Sequence, residues 1–357
     1  MNDTQALITA DLSPHADLAQ VQHQLEEDLV RVRERLRSLV ATSNQRIRGP
    51  IMYSVTDTGR LLRPTLALIS SYLVEGDWGV ATRQDVIDAA TTVEILHVAT
   101  LFHDDLIDQA TIRRGRPTAN EEFGEPIALL TGDYLLARCL RTAATLGVAQ
   151  LTLMADTLDD ACVGQIMETS QLYDPLRSEQ DYLAAIGGKT ASLMKAAAAI
   201  GALQCGADPD VQHALVSFGH NLGMAFQIWD DILDLCRTGT GKTADKDLLN
   251  GVYTLPLIYA VKDEPDRVLA ILRAQQPPSP QQCDEILSIM LECGALNRAA
   301  GMAQQHVTAA FQAIEQHPKF ADRAPLAGRY LVDLVSKLTA RHPMLQSRGE
   351  QPTRGSH

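Results

Sequence analysis

Aromatic residues are scarce, at 4% of the 357-residue chain. Sandwiches and barrels rely on such side chains, so the shortage, beside abundant Ala and Leu, favours helices. The six cysteines, at 139, 162, 205, 236, 283 and 293, form no Cys-x-x-Cys pair and read as small apolar residues in a reducing compartment. Basic charge is also short: 31 Lys and Arg stand against 44 Asp and Glu, a net −13. That balance argues against nucleic acid as a partner. It leaves a phosphorylated small substrate open, because metal ions and a few local cations can reverse the field. The first residues, MNDTQALITADLSP, lack a basic stretch followed by an apolar one, and no run approaches the roughly 20 apolar residues of a membrane span. The longest candidate, AAAAIGAL at 196–203, is far too short. A cytoplasmic protein with no transmembrane segment is expected.

What is present is helical patterning. Hydrophobic residues make up 45% of the chain and charged ones 21%, a globular composition. Residues 1–16 are polar and expected to fray. From Asp17 to Val40 apolar residues recur at helical spacing with a charged opposite face. GRLLRP at 59–64 breaks and restarts helix, with Pro64 in a first turn. Further helices are expected over 83–108, 126–147, 150–173, 178–204, 209–236 and from 254 to about 340. Gly187-Gly188 inside one of them implies a kink or a close crossing. The tail 343–357 reads as flexible. No strand, repeat or linker stands out, so residues 1–342 are read as a single all-α domain.

One stretch carries chemistry. Residues 94–116, EILHVATLFHDDLIDQATIRRGR, end an apolar helical run in Asp104, Asp105 and Asp108, followed by Arg113 and Arg114. Positions four apart share a helix face, so Asp104 and Asp108 present adjacent carboxylates. Such hard oxygen ligands suit Mg²⁺, which binds one or two carboxylates plus substrate phosphates. Arginine forks grip phosphate oxygens. The same Asp-x-x-x-Asp spacing at Asp156 and Asp160 has no basic follow-up and reads as surface. A second acidic copy, Asp230, Asp231 and Asp234 in FQIWDDILDL, repeats the pattern. Two Asp-rich ends on two long helices can hold a small metal cluster between them.

In these motifs, ordered from about Thr58 to Pro256, the chain resembles the trans-isoprenyl diphosphate synthases, the polyprenyl synthetase family. The resemblance implies a bundle of long helices around a deep central cavity. It implies a prenyltransferase that condenses isopentenyl diphosphate with an allylic prenyl diphosphate, using Mg²⁺ (three ions with substrate bound) in a homodimer. Position by position, it assigns Arg60, Arg63, His97 and Arg114 to the homoallylic diphosphate, and Arg113 and Arg114 to a divided grip on both diphosphates. Lys189, Thr190, Gln227 and Lys242 fall to the allylic substrate. Asp104, Asp108, Asp230 and Asp234 are the implied metal ligands. Asp105 and Asp231 join Asp104, Asp108, Asp230, Arg113 and Lys189 in the implied catalytic set. Three positions depart from the family pattern: Arg60 replaces a lysine, Leu61 stands where a second basic residue is frequent, and Val252 stands where lysine is common.

Chain length is argued from the residues before Asp104. One helix turn rises about 5.4 Å, close to one isoprene unit. Thr100 and Leu101, then Leu96 and His97, then Val93 are expected along the tail tunnel. Ala99 and Thr100 are small, where aromatic residues accompany short products in the family, so a long-chain trans-polyprenyl diphosphate, a quinone side-chain precursor, is expected. The alternatives are a short-chain farnesyl or geranylgeranyl synthase, a class I terpene cyclase and a non-catalytic partner subunit.

Overall fold

The computed structural model describes residues 18–55, 59–76, 82–235 and 246–320. The expectations for residues 1–16, for 343–357 and for Lys242 lie outside the described residues. The described chain is all-α apart from one two-residue strand pair. It divides into two compact units: one takes the described residues of Met1–Ser170, Leu183–Met224 and His306–Ala327, the other those of Gln171–Tyr182 and Ala225–Gln305.

The first unit is built around a single buried helix. Helices α1 (Leu18–Val40), α2 (Gln45–Val55), α3 (Leu62–Glu75) and α4 (Gln84–Ile107) precede strands β1 (Ile112–Arg113) and β2 (Arg116–Pro117). Then come α5 (Ala119–Phe123), α6 (Glu125–Leu146) and α7 (Val148–Ser170). A helix that is apolar all round belongs in a core, and α4 is buried from Val86 through Phe102 on nearly every side. It packs against α1, α3 and α6. By length and composition α4 could cross a membrane, contrary to the expectation that no run comes close, but 72% of its apolar window is buried inside the protein. Its Glu94 side chain, in mid-helix, is also buried.

Small residues set the close crossings. Beyond α8 (Glu179–Ile186), the Gly187-Gly188 pair opens a π-helical turn, Gly187–Ala191, that leads into α9 (Ser192–Gln204). A Cβ on Gly164 of α7 would stand 2.3 Å from the Lys189 amide nitrogen, and one on Gly188 2.6 Å from the Asp160 carbonyl. Glycine at both positions therefore lets α7 touch the π turn backbone to backbone. Gly201 of α9 meets Ala67 of α3 in the same way, since a Cβ there would run into the Ala67 carbonyl oxygen.

Helix α10 (Pro209–Leu235) gives its first part to the first unit and its last part to the second. The second unit continues with α11 (Lys246–Leu249), α12 (Leu255–Asp263), α13 (Pro265–Ala274), α14 (Pro280–Glu292) and most of α15 (Ala295–Glu315). Helix α14 starts with a complete capping box, Ser279 and Gln282 exchanging backbone and side-chain bonds at 3.3 and 2.8 Å, with Pro280 in the first turn.

Candidate active site

Two cavities open on opposite stripes of α4. The first is small, polar and arginine-rich, lined on the helix by Glu94, His97, Leu101 and Asp105, and beyond it by Arg113, Arg114, Arg116 and Tyr53. The second is a trough of about 380 Å³ between α4, α6 and α7. It is lined by Thr100, His103, Asp104 and Ile107, then Leu129 and Asp133, then Leu158, Cys162 and Ile166. Each helical residue turns the chain by about 100°, so neighbours in sequence diverge. Asp104 lines the apolar trough while Asp105, the next residue, lines the polar pocket. His97 and Leu101, expected along the tail tunnel with Thr100, instead belong to the polar pocket. Leu96 and Val93 are fully buried, and neither they nor Ala99 line the trough.

The arginines are delivered by the strand pair. Arg113 pairs with Arg116 in antiparallel register, leaving Arg114 and Gly115 as a two-residue turn with φ of 53° and 79°. Positive φ at both central positions is the mark of a tight hairpin turn and is unfavourable for arginine. Arg113 Nε donates to the buried Asp105 carboxylate at 2.8 Å. Arg116 lies over the Tyr53 ring at 4.3 Å, and the Tyr53 hydroxyl donates to the Pro117 carbonyl at 2.8 Å. Arg114 reaches Gly59, bringing the hairpin to the start of α3, where Arg60 is exposed and Arg63 is half-buried.

Electrostatics mark the pocket as an anion seat. Burial holds the Arg63 guanidinium below its usual range; Glu94 and Asp104 oppose that shift, and Arg114 adds to it. His97 is held well below the usual imidazole range by burial and by Arg63, Arg114 and Arg113, so it is neutral at pH 7. Glu94 is pushed up to about 7 by burial, against the pull of Arg63, Arg114 and Arg33. Two guanidiniums that repel one another beside a neutral imidazole suit a phosphate-bearing ligand.

The trough ends in acid and one ammonium. Lys189, carried on the π turn, donates to Glu168 at 2.5 Å. Burial works against the Lys189 charge, yet Glu168, Asp104 and Asp108 outweigh it and raise its pKa. Asp104 is pushed up to about 6, by burial first; Asp108 and Glu168 add to the rise, and Lys189 and Arg113 counter it. Thr190 beside Lys189 is buried, and Asp108 caps the end of α4 in the open. Among the described residues no group of three or more His, Cys, Asp or Glu could hold a metal by itself. The donors nevertheless fit a hard divalent ion. Asp108 one turn on disfavours the charge of Asp104, and Mg²⁺ normally takes only one or two carboxylates plus substrate phosphates.

The second acidic motif lies in the second unit. Asp231 is buried and accepts the Tyr182 hydroxyl at 2.6 Å and the Gln227 amide at 2.7 Å. Its carboxylate is thus committed to structure, and the Gln227 amide, expected on the allylic substrate, bonds to Asp231. Asp230 is exposed and Asp234 half-buried. Val252 sits after α11, its amide donating to the Asp247 carbonyl at 2.8 Å.

The sequence reading missed Glu94, Tyr53, Arg116 and Glu168. Glu94 left a signal, a lone acid within the apolar run TTVEILHV, one turn before His97. Asp160, read as surface, pairs with Lys195 at 2.7 Å.

The sequence pattern of the polyprenyl synthetase family matches residues 44–290. The chain is 35% identical, over 82% of its length and 91% of the relative's, to "Heptaprenyl diphosphate synthase component 2" of Geobacillus stearothermophilus. The solved decaprenyl diphosphate synthase from Rhodobacter capsulatus superposes with a TM-score of 0.80 at 30% identity, covering 91% of this chain and 99% of that one. A polyprenyl synthase from Caulobacter crescentus, solved with calcium and isoprenyl diphosphate, gives 0.76 at 27% identity over 88% and 98%. With its paired acidic motifs, its hairpin of arginines and this likeness along most of its length, the chain belongs to the polyprenyl synthetase family and is a prenyltransferase.

Proposed function

We propose that the chain condenses isopentenyl diphosphate with an allylic prenyl diphosphate and releases a long-chain trans-polyprenyl diphosphate, a precursor of quinone side chains. The observation that carries this reading is the division of α4 into a polar stripe and an apolar one, with Asp105 on the first and Asp104 on the second. The polar pocket accepts the homoallylic head through Arg114 and the neutral His97, which line it, with Arg63 acting on both and Arg60 of the same segment assisting. The trough takes the growing apolar tail, and its small Thr100 leaves room for extension.

Asp104 and Asp108 on the first unit offer oxygen donors to a divalent metal, and Asp230 and Asp234 offer the same donor type on the second. Bound there, Mg²⁺ (three ions with substrate in place) would neutralise the charge that develops on the leaving diphosphate. The chain's own contribution is fixed charge. Lys189, held by Glu168, and Arg113, held by Asp105, are aimed before substrate arrives, so they cost no reorganisation during ionisation. Leu129, Leu158 and Ile166 give the trough an apolar lining suited to a prenyl tail. The departing diphosphate accepts the proton released on double-bond formation, and no side-chain base is assigned.

A homodimer in the cytoplasm is the proposed working form. The buried thiol of Cys139 fits a reducing compartment. The Geobacillus relative is named a component, so the decisive measurement is turnover by this chain purified alone, with its mass in solution. Product chromatography after incubation with farnesyl and isopentenyl diphosphates tests chain length; arrest at farnesyl would overturn it. Asp104→Ala or Asp230→Ala should lower turnover by about a thousandfold. Near-normal rates in either would sink the metal assignment.

A further inference from the structure

Glu94 is not used by the scheme above. Its side chain is 2% exposed, it lines the polar pocket, and among the described residues no group donates a hydrogen bond to it. Charged and titratable groups face it from several elements: Arg33 on α1, Arg63 on α3, His97 on its own helix and Arg114 on the hairpin. Tyr53, Asp105, Arg113 and Arg116 line the same pocket. Asp105 is engaged by Arg113, which leaves Glu94 as the acid without a donor.

A buried carboxylate without a donor repels an incoming diphosphate, whereas a carboxylic acid can donate a hydrogen bond to a phosphate oxygen. We propose that Glu94 meets the homoallylic diphosphate as a neutral carboxylic acid, so that binding isopentenyl diphosphate draws a proton onto the enzyme. The inference rests on reading the polar pocket as the seat of that diphosphate. The direction follows from electrostatics: a like charge nearby disfavours ionisation, and the arginines that hold Glu94 partly ionised in the free enzyme are taken up by the phosphate oxygens. Burial already brings Glu94 to about 7, so modest extra negative charge suffices near neutrality. His97 is the competing acceptor, since it too would gain affinity for a proton.

The test is calorimetric titration of the full-length protein with isopentenyl diphosphate alone, so that no turnover occurs. It is run at pH 7.5 in two buffers of different ionisation enthalpy. Wild type should take up more protons than Glu94→Gln by roughly half a proton. Affinity of wild type should also fall from pH 7 to 9 more steeply than that of the variant. Equal uptake and parallel pH profiles would overturn the proposal and point to His97. If Glu94→Gln does not fold, infrared difference spectra of wild type decide: a protonated-carboxyl band must appear on binding, and its absence refutes the idea. Unchanged affinity in Arg63→Ala would instead refute the pocket assignment itself, a distinguishable result.

Discussion

The Arg114 guanidinium rests on the α-carbon of Gly59, so closely that a Cβ there would stand 2.8 Å from its Nη2. Gly59 also has φ of 62°, a conformation that penalises any side chain. One glycine therefore joins the hairpin arginine to the segment that begins α3 and carries Arg63. Gly59→Ala should raise KM for isopentenyl diphosphate about tenfold while leaving KM for the allylic substrate nearly unchanged, which steady-state kinetics with each substrate varied will show. An equal rise in both would mean that Arg114 serves the two diphosphates alike.

The proposed division of labour gives product length to the trough and the homoallylic head to the polar pocket. Thr100→Phe places a ring one helical turn above Asp104 on the stripe that lines the trough. The expected outcome is a shorter principal product by chromatography, with KM for isopentenyl diphosphate within about twofold of wild type. Leu101→Phe, on the opposite stripe, should leave product length unchanged and raise that KM instead.

Asp230 and Asp231 should separate cleanly. Tyr182→Phe removes the hydroxyl that bonds Asp231 at 2.6 Å and should cost about 1–2 kcal/mol of stability, read as a lower melting temperature, with turnover largely kept. Asp230→Ala should do the reverse, abolishing turnover with little change in melting. Loss of turnover in Tyr182→Phe at unchanged stability would assign Asp231 a direct role.

Stability should depend on pH through Glu94. Its folded-state pKa of about 7 lies above the usual 4.5, so the native protein binds the proton more tightly than the unfolded chain. The stabilisation is fully present below pH 4.5 and is lost as pH rises through 7, an effect on the order of 3 kcal/mol. Metal-free wild type should therefore melt lower at pH 8 than Glu94→Gln does, relative to each protein at pH 5. Parallel pH profiles for the two proteins would contradict the burial of an unpaired carboxyl.

Helix positions were legible because local signals agreed. The apolar run into Asp104 is α4, the matching run into Asp234 is the end of α10, and Gly187-Gly188 became a π turn in backbone contact with α7. Helix α2 escaped notice because Pro50 sits inside it, and β1 and β2 because two residues per strand carry no alternation. The site was harder to read, for a reason of geometry. Counting turns back from Asp104 tracks rise along the axis but ignores rotation about it, so Leu101 and His97 were placed with Thr100 when they face away. The commitment of Asp231 depends on Tyr182, 49 positions earlier, a partner no local pattern reveals.

Because the two cavities share one helix but no α4 side chain, they form separable traits. On the proposed reading, mutations at Thr100, His103 or Ile107 would tune the product and leave the polar pocket at Glu94, His97 and Leu101 untouched. A lineage could thus drift from one chain length to another without passing through an inactive ancestor.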